Sequence, residues 1–272
     1  MKWTPLVPVM VLCVAGSLLP AAHAAKHMKD GAVYKDSAYI KADNSWFVGV
    51  GGGTSWIGLP NNTTVLNGSG ATPPSNRDNF SIKSASADVA EVMIGYRWED
   101  DKTYFPSYDL YLQYRHYLDT GIKGTVTQYT LPGYTNYNYN INYDADLFTL
   151  TGKADLVDVK GFRPYLSAGV GAIINHLNDY SETALIGVTP RTNPNYNGNT
   201  STSLAATLGA GIDYILTENT WLTLGYEHVF QGSIKSGPGA GSWSGTALNI
   251  GKVKMDTVFL NISAKFPDAF RS

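Results

Sequence analysis

LAATLGAGIDYILTENTWLTLGYEHVF, residues 204–230, holds two alternating runs around the four-residue turn Thr217-Glu218-Asn219-Thr220. In the first run Leu204, Ala206, Leu208, Ala210, Ile212 and Tyr214 share one face, opposite Ala205, Thr207, Gly209, Gly211 and Asp213. In the second, Leu222, Leu224, Tyr226 and Phe230 lie together, opposite Thr223, Gly225 and Glu227, with His228 interrupting the apolar side. Period-two alternation specifies strands, and a short polar turn between them specifies a tight hairpin. Each run exceeds the ~9–11 residues that a tilted strand needs to cross a bilayer. The second face is small and polar, which suits the narrow inside of a barrel better than the core of a soluble sandwich.

Outward from this hairpin, the bulk composition agrees. The chain has 272 residues, 18 of them tyrosine and 28 glycine, and only 15% charged, against the ~25% usual in soluble domains. Near-balanced charge argues against a nucleic-acid partner. Residues 1–24 read as a cleaved secretory signal: Lys2, an apolar run from Val7 to Leu19, then Ala22-His23-Ala24. The single cysteine, Cys13, lies inside it, so a mature chain would carry no thiol. No later window is apolar enough for a membrane helix, and an exported chain without one can enter a bilayer only as a closed barrel.

Residues 25–44 read as a polar periplasmic lead-in and 267–272 as a C-terminal tail, leaving 45–266 for the barrel. Alternation predicts strands near 45–57, 80–98, 107–118, 140–156 and 163–175, the two runs of the opening hairpin, and 252–266. The connections alternate long and short. Stretches 58–79, 119–139, 176–200 and 232–250 read as long extracellular loops, and 99–106, 157–162 and 216–219 as short periplasmic turns. The predicted fold is all-β: an eight-stranded antiparallel transmembrane barrel, an up-and-down meander with four long extracellular loops.

Three pieces carry a family resemblance: Arg163-Pro164-Tyr165 with Gly169-Val170-Gly171, then Gly209-Ala210-Gly211-Ile212-Asp213-Tyr214, then Trp221-Leu222-Thr223-Leu224-Gly225-Tyr226-Glu227. Over about 45–266 the chain resembles the outer-membrane β-barrel family that includes opacity-like and OmpA-type transmembrane domains. The resemblance implies a bacterial outer-membrane location. It also implies a terminal strand read by the barrel assembly machinery, here with Phe266 in phase but followed by Pro267–Ser272.

The inward phase collects Glu91, Arg97, Asp109, Arg115, Lys153, Asp155, Asp213, Glu227 and Lys265. In so narrow a lumen they are expected to pair as a plug, since an unpaired buried charge is very costly. A narrow gated path for ions or small solutes is the alternative. A lipid A-modifying enzyme would need His116 or His228 beside a serine such as Ser233. Glu99-Asp100-Asp101 and Asp144/Asp146 match no EF-hand calcium pattern, and Gly49–Gly53 lacks the features of a phosphate loop. No catalytic residue, cofactor or metal is expected. Among loop residues, Tyr129, Tyr134, Tyr137, Tyr139, Arg191, Lys235 and Trp243 are the expected extracellular contacts. Their partners would be lipopolysaccharide and outer-membrane lipid, or host and other surface ligands, through aromatic and phosphate-pairing chemistry.

Overall fold

The computed structural model describes residues 44–266 apart from 101, 193 and 244. The expected signal, the lead-in up to residue 43 and the tail 267–272 lie outside the described residues. Ten strands follow in order: β1 (Ser45–Gly58), β2 (Asn62–Leu66), β3 (Arg77–Ser81), β4 (Ala85–Glu99), β5 (Ser107–Thr127), β6 (Thr135–Asp155), β7 (Phe162–Ala184), β8 (Asn199–Thr217), β9 (Thr220–Pro238) and β10 (Ala247–Lys265).

Eight of them close a ring. β1 pairs with β4 on one side and β10 on the other, and β4 to β10 pair with their chain neighbours, all antiparallel. A closed ring leaves no backbone edge unpaired, as a lipid environment requires. The remaining hairpin, β2–β3, stands within the first long connection and joins the far end of β5 through Asn79↔Thr127 and Phe80↔Val126.

The strands run well past the limits that strict alternation predicts. β5 continues to Thr127, β7 to Ala184 and β9 to Pro238, so much of 119–139, 176–200 and 232–250 is sheet. The hairpin β2–β3 likewise structures 58–79. The physical reason is a set of phase slips. The register shifts between Tyr117 and Thr120 in β5, between Asn178 and Ser181 in β7 opposite Asn140 and Asn142, and between Phe230 and Ser233 in β9 opposite Lys252 and Lys254. Asp179 in β7 sits at φ 52°, a left-handed bulge conformation. The slips in β5, β7, β9 and β10 exchange the faces that follow them, so a single period cannot be read through those strands, whereas β6 keeps one inward phase from Tyr137 to Asp155.

The barrel therefore has two halves. Toward the short turns, the outward face is apolar: Val92, Leu112, Leu150, Val170, Leu208, Leu224 and Leu260 are all exposed. Aromatics edge it, with Trp46 packed on Tyr96, Tyr96 on Trp98, and Phe162 on Tyr214. This is the band and girdle of a bilayer-spanning barrel. Toward the long hairpins the pattern inverts. Ile57, Val89, Ile122, Ile141, Leu147, Ile173, Val229 and Met255 are buried inside, while Lys123, Asn249 and Lys235 face out. Each such aliphatic side chain contributes about 1.5–3 kcal/mol by leaving water.

Candidate functional site

The lumen of the apolar-banded half is filled by ion pairs in two tiers. At the short-turn end the guanidinium of Arg97 is the hub. Its Nη2 donates to Asp155 at 2.5 Å, Ser107 at 2.7 Å and Asp213 at 3.3 Å, and its Nε lies 3.3 Å from Asp109. The ring of Trp221 lies 4.2 Å away, under the guanidinium carbon. Lys153 joins the same carboxylates, 2.6 Å from Asp213 and 3.0 Å from Asp109. Glu99 draws in Lys265 and Arg163, and Arg163 also reaches Asp158 at 2.8 Å.

The second tier is built on Arg115. It donates to Glu91 from Nε and to Glu227 from Nη1, each at 2.6 Å, so β4, β5 and β9 are tied across the bore. Gln113 adds a bond to Glu91 at 2.8 Å. Between the tiers, Phe47, Met93, Tyr111, Tyr165, Trp221 and Phe259 leave a cavity of about 10 Å³, room for roughly one water. Gly225 permits this filling, because a Cβ there would overlap the Tyr165 hydroxyl and the Phe259 ring.

All nine charges assigned to the lumen from sequence are inside the barrel, and each has an opposite-sign partner. Two further members, Glu99 and Arg163, were missed. Alternation places both inward: Glu99 lies one residue past the predicted strand 80–98, and Arg163 is the first residue of the predicted strand 163–175.

Above the second tier the bore is apolar, and its mouth is capped. Phe80, Tyr139, Tyr180, Tyr196 and Trp243 pack together there, with centroid separations from 4.9 Å for Tyr196–Trp243 to 6.1 Å for Phe80–Tyr196. Arg191 lies between Tyr137 and Trp243, 4.5 and 4.6 Å from their ring centroids. Asp78 on β3 is the fastening point. It accepts from Asn67 Nδ2, the Tyr129 backbone N–H, Arg191 Nη2 and Trp243 Nε1, at 3.1, 3.0, 3.1 and 3.1 Å. Those donors come from all four long hairpins. Burial pushes the nearby Glu182 carboxyl above its ordinary range, against the opposing effects of Tyr180 and Arg191.

The reading of loop residues as displayed contacts is corrected for Tyr137, Tyr139, Trp243 and Arg191. The first three are buried, and Arg191 keeps only 12% of its side chain exposed in its pair with Asp78. They line the inside of the strand extensions and the cap, where their aromatic surface leaves water. Tyr129, Tyr134 and Lys235 remain exposed. The two histidines of the enzyme alternative are engaged by aspartates, His116 by Asp146 at 2.8 Å and His228 by Asp256 at 2.6 Å. Of the acidic turn, Glu99 is turned inward and Asp100 pairs with Lys102 at 2.6 Å.

No family model matches the chain, and no curated protein is detectably similar to it. Among solved structures, Neisserial surface protein A matches over 82% of this chain and 99% of its own, at 15% identity and TM-score 0.44. The outer membrane protein OprG of Pseudomonas aeruginosa matches over 82% and 96%, at 16% identity and TM-score 0.44. Ail, the attachment invasion locus protein of Yersinia pestis, matches over 82% and 99%, at 11% identity and TM-score 0.37. The class of the barrel follows from its own geometry: a closed ring of eight antiparallel strands, an apolar outer band with aromatic girdles, short turns at one end and long hairpins at the other. The chain is an eight-stranded transmembrane β-barrel of the outer-membrane type, the architecture that its resemblance to OmpA-type and opacity-like domains implied.

Proposed function

We propose that the protein works at the cell surface, as a plugged barrel that holds a capped platform above the outer membrane, and not as a channel. The observation that carries this reading is the Arg115 bridge to Glu91 and Glu227 with the Arg97 cluster beneath it. Two tiers of paired charges occupy the bore where a wet path would have to run. The apolar bore and cap above them add a second barrier.

The platform's contact groups are those the fold leaves outside: Tyr129 and Tyr134 at the β5–β6 turn and Lys235 on β9. Their chemistry suits a surface ligand of a host or neighbouring cell, or the sugars and phosphates of lipopolysaccharide. Phe266, next to the last strand residue and exposed, is the group the assembly machinery would read. Catalysis is not part of this reading: His116 and His228 each hold an aspartate, and His176 meets the Thr200 hydroxyl at 3.0 Å and Asp146 at 3.6 Å on the outer wall.

The test is single-channel recording of the refolded protein in a planar bilayer, beside Glu227→Ala. A folded, heat-modifiable barrel with no steady conductance is the expected result. A steady conductance that Glu227→Ala alters would transfer the function to the lumen.

A further inference from the structure

Just beyond its apolar band, the outside of the barrel differs in charge from one wall to the other. On β9 and β10, His228, Lys254, Lys252 and Lys235 succeed one another toward the long-hairpin end, all on the outward side. Register sets Lys254 beside Phe230, Lys252 beside Ser233, and Lys235 beside Asn249. One carboxylate, Asp256, shares this outward stretch, and it is already engaged. Its Oδ1 accepts from the Tyr226 hydroxyl at 2.5 Å and meets His228 Nδ1 at 2.6 Å. A carboxylate can only accept, so it fixes the proton on Nδ1 and leaves Nε2 of His228 for another partner.

The opposite wall repeats the centre of this arrangement with the reverse charge. Tyr114 and His116 on β5 share Asp146 Oδ1 on β6, at 2.7 and 2.8 Å. In both places the histidine stands directly across from its aspartate in register. The residues between the tyrosine and the histidine, Arg115 and Glu227, point inward and bond each other at 2.6 Å. The two sites therefore stand at one height on facing walls. On the β5–β6 wall, however, Asp119, Asp144 and Asp146 gather with Lys123 as the one outward lysine.

A cationic column at the upper edge of an apolar band lies where lipid headgroups lie. Trp56, directly across from Asp256 on β1, together with Tyr226 and Phe230, gives its lower end an aromatic bed of interfacial type. We propose that the outward face of β9–β10 is a binding site for the phosphorylated headgroup of an outer-leaflet glycolipid. His228, Lys254 and Lys252 meet the phosphate nearest the acyl chains, and Lys235 meets charge further out. Flexible ammonium groups suit phosphate as point charges. The site rests on the reading that this end of the barrel stands at the surface of an outer membrane.

The test uses the whole refolded protein in detergent micelles, titrated with diphosphoryl lipid A and, separately, with its dephosphorylated form, with bound copies counted by native mass spectrometry. The intact protein should retain the diphosphoryl form at least tenfold more tightly, and the preference should shrink as salt rises. Lys252→Gln with Lys254→Gln should abolish that preference, while Asp144→Asn with Asp119→Asn on the facing wall should not weaken it. Equal retention of the two lipids by the unaltered protein overturns the proposal without any variant. So does a lysine variant that keeps the preference. Complete displacement by millimolar inorganic phosphate would make this a free-anion site and overturn the lipid assignment. A barrel that folds, stays silent in the planar bilayer and shows no lipid preference loses this site alone, whereas a conducting barrel loses the surface reading itself.

Discussion

Below the level of Arg115 the barrel carries leucines outside and charges inside; above it, lysines and asparagines lie outside and leucines, isoleucines and tyrosines inside. The same strands make both halves. What changes along them is the solvent at the outer wall, and each half buries whatever that solvent rejects. In lipid the outer wall is apolar, and the small bore is left to polar groups that must satisfy one another. In water the ordinary hydrophobic core returns. The bulges near Tyr117, Asp179 and Lys252 sit close to the changeover. They let a strand re-aim its side chains without leaving the ring.

This contrast can be broken most directly from within. Arg97→Met removes the hub of the lower lumen and strands Asp155 without a cationic partner at its 2.5 Å contact. It should cost about 3–5 kcal/mol in a urea folding titration into lipid vesicles, the range for breaking a buried pair. Leu147→Ala in the upper bore should cost about 2–5 kcal/mol by a different route, the cavity it leaves. A neutral Arg97→Met would mean that the lower lumen is hydrated, and that only the upper half is packed.

The outer wall gives the next test. Leu260→Arg, in the apolar band on β10, should destabilise by about 2–4 kcal/mol if it lies near mid-bilayer. Asn249→Arg, outward on the same strand beyond the band, should stay within about 0.5 kcal/mol of the parent protein. Equal losses at both heights in the same titration would erase the boundary between the halves.

The smallest effect belongs to the cap. Glu182 has its carboxyl pushed up in the folded protein, so ionising it opposes closure. The stability it contributes is fully present below the unfolded pKa and is lost as pH rises through the folded one. Glu182→Gln should remove that share of the pH dependence of amide exchange in the β7–β8 hairpin. Identical pH profiles for the two proteins would mean that Glu182 titrates as a solvated side chain.

The lower half was legible because one rule governs it. Leu204 to Tyr214 and Val258 to Phe266 keep an unbroken outward phase, and a narrow closed ring sends every intervening charge into the bore. The upper half obeys a rule of equal simplicity with the faces exchanged. Its signal is present in Asn136-Tyr137-Asn138-Tyr139-Asn140-Ile141-Asn142-Tyr143, a strict alternation whose apolar members all point inward. Its first half, 136–139, reads as loop because a phase slip precedes it at Tyr117–Thr120 and because tyrosine among asparagines resembles a display surface. Asp78 carried no local signal at all. Its donors, Asn67, Tyr129, Arg191 and Trp243, are scattered over the sequence and meet only once the ring has closed.

That carboxylate has a consequence for affinity. Loops that must be ordered when a partner arrives subtract the entropy of ordering from the energy of contact. Here one side chain has already drawn all four hairpins into a fixed relation, so a partner meeting Tyr129 and Tyr134 finds a preorganised tip. The height of that tip is fixed as well. The 23 residues of β7, at ~3.3 Å each and a tilt near ~40°, span roughly 30 Å more than the ~25 Å apolar band along the barrel axis. The molecule is a stiff standoff, and a change in any one hairpin that disturbs Asp78 would be felt by the other three.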